Sequence, residues 1–273
     1  MIYVQEYILK RNVDGSCITV SDVHKVLLEM LKMIDGLCQS NDIPYYLVGG
    51  SALGAVRHKG FIPWDDDADI AMMREDYERF LQLLPKILPD GYMFQCFDTH
   101  KEYNVLIPAM KIRKRNTYVR EANVLLANKC KDGDGLFIDV FVIDYVSERK
   151  WVDVVNRIGN DLLMPLIVGC ENLNFNPLFL KKLFVNHAKH YGMRNHGSKY
   201  IGYDLTWTFS SPLKPIVYPK DMIYPVVYVP FMDTYLPVPN QVEDYLKIEI
   251  GETYMQFPPI DQQKPKHIVD IKL

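Results

Sequence analysis

Four of the five residues from 65 to 69 are aspartates, in the run Asp65-Asp66-Asp67-Ala68-Asp69. From Asp67 the chain alternates as a strand does, through Asp69-Ile70-Ala71-Met72. Asp67, Asp69 and Ala71 then share one face, and Ala68, Ile70 and Met72 the other. Two carboxylates side by side repel and raise one another's pKa. A divalent cation removes that conflict and takes the oxygens as ligands. Hard carboxylates suit magnesium or manganese. The competing reading is a solvated acidic loop, which has no need of the apolar alternation.

A third carboxylate stands in Phe137-Ile138-Asp139-Val140-Phe141, a short apolar strand pattern. A charge there is costly unless paired or metal-bound. Beside the 67–72 strand, Asp139 would complete a triad; a salt bridge or a helix N-terminus are its other potential partners. Upstream, Gly49-Gly50-Ser51 follows a short apolar strand, 44–48, and opens a helix. Such a turn presents free N–H groups and a positive dipole end to phosphate, with Ser51 placed to cap the helix. Taken alone the turn is a weak signal. Its weight comes from the order strand, glycine turn, helix, acidic strand, later Asp strand.

Several cations stand near these motifs. Arg57 can reach a phosphate from between the turn helix and the acidic run, or lie solvated. His58 can do the same, or cap and pack the loop. Trp64 can stack on a base or pack beneath the loop. Lys111 and Arg113 share a strand face in Lys111-Ile112-Arg113-Lys114-Arg115 and can grip phosphates, with a solvated charge run as the alternative. His267 can reach the site, although a lone histidine is more often structural.

The elements that must position these residues are legible in outline. Val23, Val26, Leu27, Met30, Leu31, Ile34, Leu37 and Cys38 recur at helical spacing, with Ser21 or Thr19 as cap. A second amphipathic helix is expected over 75–87. Strands are expected over 92–97, 105–112 and 136–143, and a strand pair or arm within 1–20. Beyond Tyr145 the chain reads as more helical through about 190, and then as rich in Tyr and Pro. The apolar segment 161–170 is too short to span a bilayer. It is expected to be a buried helix end, with a monotopic membrane contact as the alternative. The fold class is α+β: a mixed sheet flanked by helices, followed by a helical and irregular C-terminal part. A weak boundary near 150 divides a catalytic core, 1–150, from a region, 151–273, that packs on it and shapes the acceptor site.

Composition narrows the function. The 273 residues carry 34 acids against 31 Lys plus Arg, a formal charge of -3. That balance gives no support to general nucleic-acid binding. The five cysteines are widely spaced and odd in number, with no metal-site spacing, and read as reduced thiols of a cytoplasmic protein. The first residues lack the long apolar run of a secretory signal. Eighteen tyrosines suit polar-lined grooves without naming a ligand.

Segment 46–76, YLVGGSALGAVRHKGFIPWDDDADIAMMRED, closely resembles the signature of the LicD family. FIDVF at 137–141 and TYLPVPNQVEDYLKIEIGETYMQFPP at 234–259 resemble its later blocks. IPWDDDADI is the most specific of these, and the resemblance runs over nearly the whole chain. Where the family's glycine block often reads GTLLG, this chain has GGSALG, nearer the broader nucleotidyltransferase pattern. The difference leaves the chemistry intact and bears on the donor pocket. The resemblance implies a nucleotidyltransferase-type core and a bacterial phosphotransferase. It would move phosphocholine from CDP-choline, or a related group from another CDP-alcohol, onto a sugar of teichoic acid or lipopolysaccharide. It makes Asp67 and Asp69 the paired ligands of Mg2+ or Mn2+, Asp139 the third carboxylate and Asp65 a helper. It places Gly49, Gly50 and Ser51 in the phosphate turn. It also implies a glycan or lipid-linked glycan acceptor at the cytoplasmic membrane face, reached by peripheral contact. Two other readings stand beside it: transfer of a whole nucleotide from an NTP, and a non-catalytic nucleotide-binding protein.

Overall fold

The structure, a computed structural model, describes residues 7–122, 129, 130 and 132–273. The chain opens on an antiparallel pair, β1 (Ile8–Arg11) and β2 (Cys17–Thr19). The rest of the arm expected at the N-terminus, residues 1–6, lies outside the described residues. Helix α1 (Val20–Ser40) starts on a reciprocal cap: the Asp22 N–H donates to the Thr19 hydroxyl, and the Thr19 N–H donates back to Asp22. Thr19, not Ser21, is the cap. Its buried stripe, from Val23 through Leu27, Leu31 and Ile34 to Cys38, packs on the core. Each fully buried aliphatic side chain contributes roughly 1.5–3 kcal/mol.

The elements of the site follow: β3 (Tyr46–Leu47), α2 (Gly49–His58) and β4 (Asp69–Met73). After them come α3 (Arg74–Ile87), β5 (Tyr92–Cys96), β6 (Met110–Lys114), β7 (Tyr118–Glu121) and β8 (Phe137–Tyr145). The strand expected over 105–112 begins only at Met110. Before it, the Tyr103 hydroxyl donates to the Pro108 carbonyl and the Leu106 N–H to the Asn104 side chain. These local bonds, with a proline that has no N–H, hold the segment as a loop.

Two long helices, α4 (Lys150–Asn172) and α5 (Leu178–Arg194), lead to β9 (Tyr200–Tyr203), β10 (Val217–Pro219) and the short α6 (Lys220–Ile223). A hairpin of β11 (Val227–Phe231) and β12 (Thr234–Val238), then α7 (Val242–Glu249), a 3-10 turn (Ile260–Gln262) and β13 (Ile268–Lys272) complete the fold. Segment 161–170 is not buried as expected. Leu162 and Leu166 are 67% and 55% exposed, and Ile167 alone of the segment is fully buried.

Seven strands form one mixed sheet, centred on the nine-residue β8. On one side β8 runs parallel to β4, and β4 pairs antiparallel with β3. On the other side its first half pairs with β6, which continues to β5, and its last residues pair with β9, which continues to β10. The sheet therefore draws on both halves of the chain. β13 pairs with β7, bringing the 268–272 segment back against the first half.

Candidate active site

The parallel register of β4 and β8 sets Asp69 directly opposite Asp139. Asp67 stands just before β4, two residues from Asp69, so the alternation read in the sequence carries both toward the same side. Burial, then the neighbouring charge of Asp69, pushes the Asp67 carboxyl well above the usual range; Asp65 and Asp139 add to it. Burial and Asp139 raise Asp69 in the same way. Asp65 rises to about 6, chiefly through burial. Asp65 and Asp139 thus act on both Asp67 and Asp69; Asp139 is buried and the other three are half-buried.

Helix α2 approaches this group end-on. Val48, not Ser51, occupies the cap position, and Ser51 lies inside the first turn. Its hydroxyl has a different use: it accepts the Asp69 N–H at 2.9 Å, tying the helix start to the acidic strand. Gly49 has φ +52, a left-handed conformation that favours glycine. Its N–H donates to the Tyr245 hydroxyl of α7. Gly50 presses so close that a Cβ there would stand 2.6 Å from a carboxylate oxygen of Asp65. The first intrahelical bond runs from Ala52 to Val48. The Gly50 and Ser51 N–H groups thus stand in the first turn, ahead of any intrahelical acceptor.

Lys111 reaches the site from β6, across β8 from Asp69. Its ammonium lies 2.8 Å from Asp139 and 3.3 Å from Glu121, and 3.4 Å from the Phe137 ring centroid. It is fully buried and bound to protein carboxylates. Arg113, also fully buried, donates to Gln95, the Gly135 carbonyl and Glu121. Its guanidinium braces the floor beside the site. Glu121 was not foreseen; it lies on β7 and holds both cations. Arg57 donates to the carbonyls of Tyr254 and Gln256, and its guanidinium lies 4.9 Å from the Phe257 ring. His58 accepts from Arg57 and meets Trp64 and Phe257 edge-on. With Gly50, Asp65 and Lys266, the residues Arg57, Trp64 and Phe257 line a cavity of about 540 Å³ beside the acidic group.

Asp66 is buried and is a clamp. Its carboxylate accepts the backbone N–H groups of Lys266, His267 and Ile268. That clamp brings His267 Nε2 to 3.3 Å from Asp67. Asp65, Asp67 and His267 offer ligand atoms within 4.8 Å of one another.

These side chains fit a divalent cation. Asp65, Asp67 and Asp69 hold carboxyls pushed up by burial, and Asp67 and Asp69 also by neighbouring carboxylates. Among the described residues, Lys111 pairs with Asp139 and His267 with Asp67. Oxygen donors in excess of cations, with one imidazole, suit manganese or magnesium.

On the far side of Asp139 the same face of β8 carries Phe141. Its ring lies 5.6 Å from that of Tyr203 and 5.3 Å from that of Trp207, and Phe209 follows at 4.9 Å from Trp207. Trp207 is half-buried and Phe209 exposed. Behind this group Glu249 accepts from the hydroxyls of Tyr203 and Tyr218.

Comparison with known proteins agrees with this geometry. Residues 42–153, which span the glycine turn and all four site aspartates, match the model for the LicD/FKTN/FKRP nucleotidyltransferase domain. Lipopolysaccharide cholinephosphotransferase LicD of Haemophilus influenzae is 26% identical, over 92% of this chain and 97% of its own length. An uncharacterized protein of Rickettsia typhi is 33% identical over 40% of each chain. Human ribitol 5-phosphate transferase FKRP is 39% identical over 22% of this chain and 12% of its own. The region 42–153 is therefore a nucleotidyltransferase domain. It is a domain of the LicD family, and similarity to a LicD enzyme extends over most of the chain.

Proposed function

We propose that this enzyme transfers phosphocholine from CDP-choline to a hydroxyl of a glycan precursor and releases CMP. In the reaction the acceptor oxygen bonds to the phosphorus that carries choline. The bond from that phosphorus to the CMP oxygen breaks, and the acceptor loses its proton. The observation that carries this reading is the cluster of the Tyr203 and Trp207 rings on Phe141, two residues beyond Asp139 on the same face of β8. Aromatic faces attract a quaternary ammonium through the ring quadrupole. The similarity to a cholinephosphotransferase over most of both chains points the same way.

The residues divide the work. The 540 Å³ cavity, with Trp64, Phe257 and Arg57 on its walls, suits the nucleotide end of the donor. The first-turn N–H groups of Gly50 and Ser51 face the pyrophosphate. Asp65, Asp67 and His267, with Asp69 and Asp139 alongside, would hold Mn2+ or Mg2+; when bound, the cation offsets phosphate charge in the transition state. Lys111 holds Asp139 in place, where its carboxylate can take the proton of the acceptor hydroxyl.

A donor panel tests the reading. Purified protein with manganese or magnesium and candidate glycan acceptors is given CDP-choline, CDP-ribitol, CDP-glycerol, CDP-ethanolamine or CTP. CMP release should be fastest with CDP-choline, and Trp207→Leu should raise the KM for that donor alone. Preference for another CDP-alcohol would replace choline and keep the reaction. Turnover of CTP with release of pyrophosphate would replace the reaction by nucleotide transfer.

A further inference from the structure

Helix α4 is built inside out. Trp151, Val155, Ile158, Leu162 and Leu166 are all exposed, from 36% to 67%. At 100° per residue they fall within an arc of roughly 80° and run along about 22 Å of helix. The buried side of the same helix carries charge instead. Asp153 binds Arg157 and accepts the Tyr191 hydroxyl, Asn160 donates to the Leu205 carbonyl, and Glu171 pairs with Lys181 of α5. An ordinary surface helix has the opposite arrangement. Beyond α4 the apolar surface continues through Phe175 and Phe179, 64% and 76% exposed. So much contiguous exposed apolar surface marks a docking face.

Charge identifies what covers it. Helix α5 has no Asp or Glu; Lys181 is buried against Glu171 and Lys189 lies near Glu78 and Asp98, while Lys182 and Arg194 are exposed. On α4, Asp153 and Glu171 are buried and Asp161 is half-buried. Neither helix therefore has a fully exposed carboxylate. A second copy docked on this face would set the cationic α5 against itself. A surface with negative headgroups above an apolar interior satisfies both features. No described helix is long and apolar enough to cross a membrane, so contact would be parallel to the surface.

We propose that the exposed faces of α4 and α5 are a membrane-docking surface that lies on the anionic headgroup layer of a bilayer. This inference is independent of which group the enzyme transfers. The test is flotation of the full chain with vesicles of phosphatidylcholine alone or mixed with phosphatidylglycerol. The wild type should float with the anionic vesicles, about tenfold more than with the neutral ones. The double variant Leu162→Gln/Leu166→Gln and the single variant Phe179→Gln should each lower flotation about tenfold, and Lys182→Glu severalfold. Their thermal midpoints, and the rise of those midpoints with manganese, should match the wild type, showing that fold and site are intact. A wild type that stays unbound with both vesicle types overturns the proposal, as does flotation that these variants leave unchanged. A wild-type dimer in analytical ultracentrifugation that Leu162→Gln/Leu166→Gln turns into a monomer also overturns it, in favour of a second copy.

Discussion

At the scale of single residues, the aspartates are placed for chemistry at the expense of stability. Burial and Asp69 raise the Asp67 carboxyl, burial and Asp139 raise that of Asp69, and an Asn at either position removes one charge from the group. Asp67→Asn and Asp69→Asn should each lower CMP release by about 100-fold or more. In metal-free buffer, each should raise the thermal midpoint or leave it unchanged. A fall in the midpoint as large as the fall in activity would mean that the aspartates serve the fold. The pH dependence follows from the same groups. The Asp65 carboxyl titrates at about 6 in the folded chain. In the unfolded chain it titrates near ~3.9. Between these values the folded chain holds a proton that the unfolded chain has lost. This group's contribution to stability therefore falls as pH rises to about 6 and is flat above it. Cation binding needs the deprotonated form. The midpoint increase caused by manganese should therefore be larger at pH 8 than at pH 5.5, measured by differential scanning fluorimetry; an equal increase at both would refute this. Gly50→Ala adds a Cβ at 2.6 Å from the Asp65 carboxylate. It should weaken manganese binding and turnover together, with circular dichroism unchanged.

At the scale of elements, the contact of α2 with β4 and the clamp on the 266–268 segment hold the site. Asp66→Ala strips three backbone N–H groups of their acceptor, at a cost of about 1–3 kcal/mol. It should also weaken manganese binding, because His267 loses its position. His267→Ala should weaken binding with little change in the urea midpoint. If both variants lose stability equally, the clamp reading fails. The sequence made the acidic strand, the Asp139 strand and α1 legible, because alternation and helical spacing are local properties of the side chains. The roles of Ser51 and Asp66 were not legible in the sequence, for a shared reason. Ser51 accepts a backbone N–H from Asp69, and Asp66 accepts three from the 266–268 segment. Backbone donors leave no mark in the sequence. Arg113 lies on β6, an interior strand between β5 and β8. A strand's position within its sheet depends on pairing across many residues. A cation that looks available to phosphate in the sequence can therefore be enclosed by protein. Likewise, the hydropathy of segment 161–170 suggested burial, whereas α4 turns its polar side inward.

At the scale of the whole molecule, one buried ion cluster joins the sheet to the helices behind it. Arg74, the first residue of α3, donates two hydrogen bonds to Asp144 of β8 and one to Asp204, just after β9. All three are buried. Arg74→Met would leave two carboxylates without their cation and should destabilise the chain by about 3–5 kcal/mol. Activity per folded molecule should hold near the wild-type value. A loss below about 1 kcal/mol in urea unfolding would mean that the cluster has relaxed around solvent. The Asp66 clamp has a further consequence, in time. Its partners stand 200 to 202 residues along the chain. On the ribosome the aspartates emerge long before the segment that brings His267 to them. Until that segment appears, the sheet can form around an acidic group that is still open, and metal can enter before the histidine closes over it. Contacts of such sequence separation are slow to form. The clamp should thus be among the last native contacts made, and the nascent chain passes through a stage in which the core is folded and the enzyme is not yet complete.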